Sequence, residues 1–191
     1  MAGTYLFVIR VTGKTKMGLM LLIVSASFYA RGQDLPSIEY QVKAGFLYNF
    51  CQFVQWPEQA FSSPDSPLVI GILGKDPFGS YLDETVKNET ANDHPLTVMR
   101  FNSVEEIDSC HILFININKR DDLREALEAL ASKSILTVSD APNFSRNGGI
   151  VTFLTEENKT KIRINLRAAR NGNLVISSKL LRISEIIENG D

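Results

Sequence analysis

Three short apolar runs decide most of what this chain can become. They are Leu68-Val69-Ile70-Gly71-Ile72-Leu73, Cys110-His111-Ile112-Leu113-Phe114-Ile115 and Ile135-Leu136-Thr137-Val138. A strand with one wet face alternates apolar and polar residues. A strand buried on both faces does not, and such strands belong to sheets covered by helices on both sides. Helical patterns separate the runs, from about Gly79 to Val86 and from Asp121 to Ala131, the second with Leu123, Leu127 and Leu130 on one face. Strands alternating with helices predict an α/β fold: a three-layer αβα sandwich around a mixed, mostly parallel sheet.

The remaining elements follow from local signals. A helix is predicted from Ile38 to Val54, capped by Ser37 and closed by Trp56-Pro57, since the residue before proline avoids helical geometry. Its apolar arc is wide, with Val42, Phe46, Asn49 or Phe50, and Phe53 on one stripe and Leu47, Cys51 and Val54 beside it, so most of it should be buried. Pro95 to Phe101 alternates and reads as a strand. Ser103 and Glu106 have capping-box spacing at a short helical turn. Gly149 to Leu154 and Lys159 to Asn165 read as a strand pair turning at Glu156-Glu157-Asn158, and these make the sheet mixed. Leu166 to Arg170 reads as a short helix and Leu174-Val175-Ile176 as an extended piece. A last helix is expected from Ser177 or Ser178 through Ile187.

The first 32 residues stand apart as a signal peptide. Arg10, Lys14 and Lys16 precede an uncharged stretch from Met17 to Ala30, and Ala30-Arg31-Gly32 offers small residues where a signal peptidase cuts. The expected mature domain is 33–191, exported to the periplasm after cleavage near Gly32. The apolar stretch is shorter than the roughly 20 residues a membrane span needs, and an uncleaved anchor is the alternative. The whole chain has 20 basic and 22 acidic residues. The segment removed holds four basic and no acidic residues, which leaves 16 against 22. That balance argues against a nucleic-acid partner.

Chemical motifs are sparse. No G-x-S-x-G elbow, Walker run or HExxH spacing occurs, and two histidines are too few for a familiar catalytic metal site. No enzyme, metal or cofactor is expected. Several polar residues sit where ligands or partners bind. Lys75, in Gly74-Lys75-Asp76-Pro77-Phe78-Gly79, follows a buried strand and precedes a helix, where backbone N–H groups can hold an anion; an ordinary turn is the alternative. Ser139 and Asp140 sit at another strand's C-terminal end, where α/β ligand sites gather, or they cap their own turn. Arg163, between Ile162 and Ile164, points to the opposite face from both, toward solvent, an anion or a partner. Lys43, in the first helix, either snorkels or marks a binding edge. Cys51 and Cys110 are either buried thiols or a disulfide. A bridge would close a loop of about 59 residues and stabilise by roughly 4 kcal/mol.

Taken in order, these motifs resemble the YfiR/HmsC-like family of exported bacterial proteins. The resemblance runs through Val42-Lys43-Ala44-Gly45-Phe46-Leu47-Tyr48-Asn49-Phe50, Gln55-Trp56-Pro57, Asp76-Pro77-Phe78-Gly79 and the Cys110 run. Its most specific stretch is Ile135 to Phe144 with Gly148-Gly149, and it closes on Arg163-Ile164-Asn165-Leu166 and Ser177-Ser178-Lys179-Leu180-Leu181. It covers about residues 38–187. The resemblance implies a periplasmic regulator that binds the periplasmic sensing domain of a membrane-bound diguanylate cyclase and holds it inactive, controlling cyclic di-GMP and biofilm formation. Cys110 matches a recurring cysteine position of the family, whereas Cys51 sits where small or apolar residues are usual. Arg163 matches a strand position associated with small ligands or anions. The alternative is a periplasmic small-molecule sensor that signals to another inner-membrane receptor, such as a sensor kinase. A small-molecule ligand and a homodimer both stay open.

Overall fold

The structure, a computed structural model, describes residues 36–157 and 159–188. Residues 1–32, expected from the sequence to be a signal peptide, lie outside the described residues. The elements in chain order are α1 (Ile38–Phe53), β1 (Val54–Gln55), β2 (Leu68–Gly74), α2 (Ser80–Val86), β3 (Thr90–Ala91), β4 (His94–Phe101), β5 (Ile112–Asn116), α3 (Arg120–Leu130), β6 (Leu136–Ser139), β7 (Val151–Glu156), β8 (Lys159–Asn165), α4 (Leu166–Asn171), β9 (Val175–Ile176), α5 (Ser178–Leu181) and β10 (Ser184–Ile187). No helix among the described residues is long and apolar enough to cross a membrane.

Eight strands form one sheet in the order β10-β8-β7-β6-β5-β2-β4-β3. β4, β2, β5, β6 and β7 are parallel, β8 runs antiparallel to β7, and β10 runs parallel to β8. The mixed, mostly parallel sheet is therefore present, with helices on both faces. Strand alternation divides the core. Ile70, Ile72, Ile112, Phe114, Leu136, Val138, Phe153 and Ile164 face α1 and α2. Leu73, Leu113 and Ile115 face α3 through Leu123, Ala126, Leu127 and Leu130. Each of these large side chains contributes about 1.5–3 kcal/mol on burial.

The chain leaves β2 for β4 on one side, then crosses to β5 on the other. The C-terminal ends of β2 and β5 thus part at a topological switch point, the usual place for a ligand crevice. Here the crevice is closed. Gly74 has φ +90°, and a Cβ there would strike the Asn116 carbonyl oxygen. The Asn116 side-chain amide also donates to the Lys75 carbonyl at 2.8 Å.

Three expectations need correction. The final helix ends after one turn. Ser184–Ile187 is instead a strand beside β8, because the open edge of β8 offers a ladder and Glu185 falls opposite Arg163. The capping box is incomplete: Ser103 caps nothing with its side chain, while Glu106 accepts from the Asn102 N–H at 2.8 Å. The α1 stripe is rolled by about one position. Lys43, Ala44, Leu47, Phe50 and Cys51 are its buried residues, and Val42 is 44% exposed.

Candidate functional site

The rolled helix puts a lysine in the core. Aromatic contacts fix α1 on the sheet: Phe50 stacks on Phe153 at 6.1 Å, and Tyr40 meets Phe78 edge-on at 5.5 Å. Between them Lys43 is 1% exposed, and its Nζ lies 2.6 Å from Glu39 Oε1 and 2.6 Å from Asp140 Oδ2. The Tyr40 hydroxyl donates to the same Asp140 oxygen at 3.0 Å. The ammonium also lies 4.5 Å from the Tyr40 ring centroid, within cation–π range. Burial, reinforced by Asp140, pushes the Tyr40 phenol up to about 12, so it stays a donor. A buried lysine is tolerated only when paired, and two carboxylates supply that pairing. Lys43 and Asp140, both singled out in the sequence, are thus brought together. Glu39 and Tyr40 were not singled out; the i,i+4 spacing of Glu39 and Lys43 was the available signal.

The other sequence candidates lie elsewhere. Lys75 is exposed, and its turn has no free cradle. Asp76 Oδ1 already accepts from the Phe78 and Gly79 N–H groups at 2.7 and 3.1 Å. Arg100 closes this corner, donating to Asp76, Asp83 and the Gly79 carbonyl, and its hydrogen bonds hold Asp83 below the usual carboxylate range. Ser139 is buried on the face opposite Asp140; its hydroxyl donates to the Ile115 carbonyl at 2.7 Å and accepts from the Ala141 N–H at 3.1 Å. It is a turn-forming residue. Arg163 does point away from Ile162 and Ile164. Its guanidinium is taken by Glu185, with Nε–Oε1 and Nη2–Oε2 both 2.9 Å, so it fastens β10 to β8.

Cys51 and Cys110 are both free thiols and belong to separate cores, one on each side of the sheet. The disulfide considered from the sequence is not formed, because the sheet stands between them. Burial pushes both thiols up to about 12, which keeps them protonated and unreactive. Gly71 makes room for Cys110: a Cβ there would lie 2.7 Å from its sulfur.

One cluster escaped the sequence reading altogether. Phe61 stacks on His94 at 3.8 Å and on His111 at 4.3 Å, and Trp56 donates its indole N–H to the His111 carbonyl at 3.0 Å. The Val69 N–H donates to His111 Nδ1 at 3.0 Å, and burial pulls this imidazole down to about 4, so it is neutral. It is a structural pin at the start of β5.

The surface beside the Lys43 cluster is the opposite in character. Ile38 is 79% exposed and Val42 44% exposed, one turn apart on α1. They line a groove of about 500 Å³ with Glu39 and the β7–β8 hairpin residues Thr155, Lys159 and Thr160. An apolar centre with a charged rim is how a protein contact is built. Among the described residues, no three His, Cys, Asp or Glu side chains group closely enough to hold a metal ion.

Comparison with known proteins adds one family. The family model described as YfiR/HmsC-like matches residues 40–185, from the first turn of α1 into β10. No curated protein matches the chain.

Proposed function

The chain belongs to the YfiR/HmsC-like family, and from that membership we propose that it is a periplasmic protein that binds and represses the sensing domain of a membrane-bound diguanylate cyclase. The family is one of regulators of cyclic di-GMP signalling rather than of enzymes. The observation that carries the finer reading is the exposed pair Ile38 and Val42 on a helix pinned from behind. Lys43 ties α1 both to its own Glu39 and to Asp140 at the end of β6, so this apolar face is held rigidly against the hairpin. Lys43 and Asp140 therefore serve the contact by positioning it.

Repression is a population shift. A regulator that binds the inactive state of the cyclase better than the active one moves the equilibrium by its differential affinity. Turning a mostly active population into a mostly inactive one takes about 5.5 kcal/mol. Burying what is still exposed of Ile38 and Val42 supplies about 2–4 kcal/mol, and the rest of the contact must supply the difference. Pre-ordering of α1 keeps the entropy loss on binding small.

The test is a photo-crosslinker placed at position 42 of the protein in its native host, with adducts identified by mass spectrometry. Capture of a cyclase through its periplasmic domain is the expected result. Capture of a sensor kinase would keep the regulator and replace the pathway, and absence of any membrane protein adduct would overturn the proposal.

A further inference from the structure

A second site lies at the other end of the sheet. Between the C-terminal half of α3 and the start of α4 is a cavity of about 280 Å³. Its floor is apolar, from Leu127, Leu130 and Ile150, and its rim carries Lys133, Arg146 and Arg167. No acidic residue lines it. Lys133 and Arg146 have no carboxylate within 4.0 Å among the described residues. This is a chain in which acidic residues outnumber basic ones, 22 to 20, so two such cations facing one hollow are not a matter of composition.

The polar groups of the floor are already engaged. Thr137 Oγ1 accepts from the Ile150 N–H at 3.0 Å. The Asn165 side chain donates to the Ser145 carbonyl at 2.7 Å and accepts from the Ala168 N–H at 2.9 Å. A ligand therefore has apolar surface to meet at the bottom and positive charge to meet at the mouth. We propose that this cavity binds a small organic anion, a carboxylate or phosphate carried on an apolar body, with its charged end at the rim. Charge-assisted hydrogen bonds from the rim fix the head group, and burial against the floor holds the body. The cavity is separate from the Ile38–Val42 face, so its occupancy is a route by which a metabolite reaches the regulator without competing for the partner surface.

The test uses anilinonaphthalene sulfonate, an anion on an apolar ring system, whose fluorescence is followed as it is titrated into the purified protein. It should bind at one site and be displaced by octanoate but not by octanol at the same concentration. Lys133→Ala and Arg146→Ala, both exposed and unpaired, should each weaken octanoate by about ten-fold, the loss of one hydrogen bond to a charged group. Lys75→Ala, an exposed cation at the opposite end of the sheet, should leave it unchanged. Octanol displacing the probe as well as octanoate, or the two rim variants matching the parent, would overturn the proposal, as would failure of the probe to bind.

Discussion

At the end of the sheet where β2, β5 and β6 finish, Lys43 has two carboxylates at 2.6 Å, while at the end where β6 and β7 begin, Lys133 and Arg146 line a cavity with none. The first end is where topology places ligands in open α/β sheets. Here its donors and acceptors have been answered from within the chain: Asp76 by its own turn and by Arg100, Asn116 by the Lys75 carbonyl, Asp140 by Tyr40 and Lys43. Strand order says where a crevice can form; whether it is open depends on which side chains fill it. In this fold the switch point between β2 and β5 is filled and the Lys43 cluster beside it fastens a helix, while the cavity at the other end keeps Lys133 and Arg146 without a carboxylate partner among the described residues.

The sharpest way to break the contrast is to take one partner from the filled end. Asp140→Ala should destabilise by about 2–4 kcal/mol in urea unfolding, because Lys43 stays buried with only the half-exposed Glu39. The double variant Lys43→Met with Asp140→Leu should stay within about 1 kcal/mol of the parent, since packed apolar groups replace a buried pair without loss. Equal damage from both would mean that the pair is not what holds α1.

A second perturbation distinguishes sealed from open groups at the strand-start end. His111 is neutral in the fold and pulled down to about 4 from its ordinary 6.5. Between those values the unfolded chain binds the proton and the folded one does not, so stability falls as pH drops from 6.5 to 4 and levels below. The loss should be about 1–3 kcal/mol. His111→Asn should flatten that part of the profile relative to the parent; an unchanged slope would place the titration elsewhere.

The smallest effect belongs to the open end. Lys133→Ala and Arg146→Ala should change unfolding free energy by less than about 0.5 kcal/mol, because exposed cations without partners contribute little to the fold. A clear loss in either would show that these residues are structural.

Much of this architecture was legible from residue patterns. The strands beginning near Leu68, Ile112 and Leu136 announce themselves because a doubly buried strand has no polar alternation to hide it. Ser37 marks the start of α1 for a local reason, a hydroxyl that accepts from the Tyr40 N–H. What failed was non-local. Ser184–Ile187 becomes a strand because β8 has an open edge and Arg163 lies opposite Glu185, and neither is visible in the segment itself. Lys43 was legible as an anomaly but not as a buried ion pair, since Asp140 lies 97 residues away. The thiols looked bridgeable until the sheet was seen to stand between them. The rim cations come from three separate segments, so no spacing links Lys133, Arg146 and Arg167.

The regulator reading stands or falls on one activity. Membranes holding the captured cyclase are assayed for cyclic di-GMP synthesis with the purified protein added, and again with an Ile38→Asp, Val42→Asp variant whose melting temperature matches the parent. Repression by the parent and at least about ten-fold weaker repression by the variant is the expected result. Synthesis that the parent leaves untouched, or that the variant represses equally well, would contradict it.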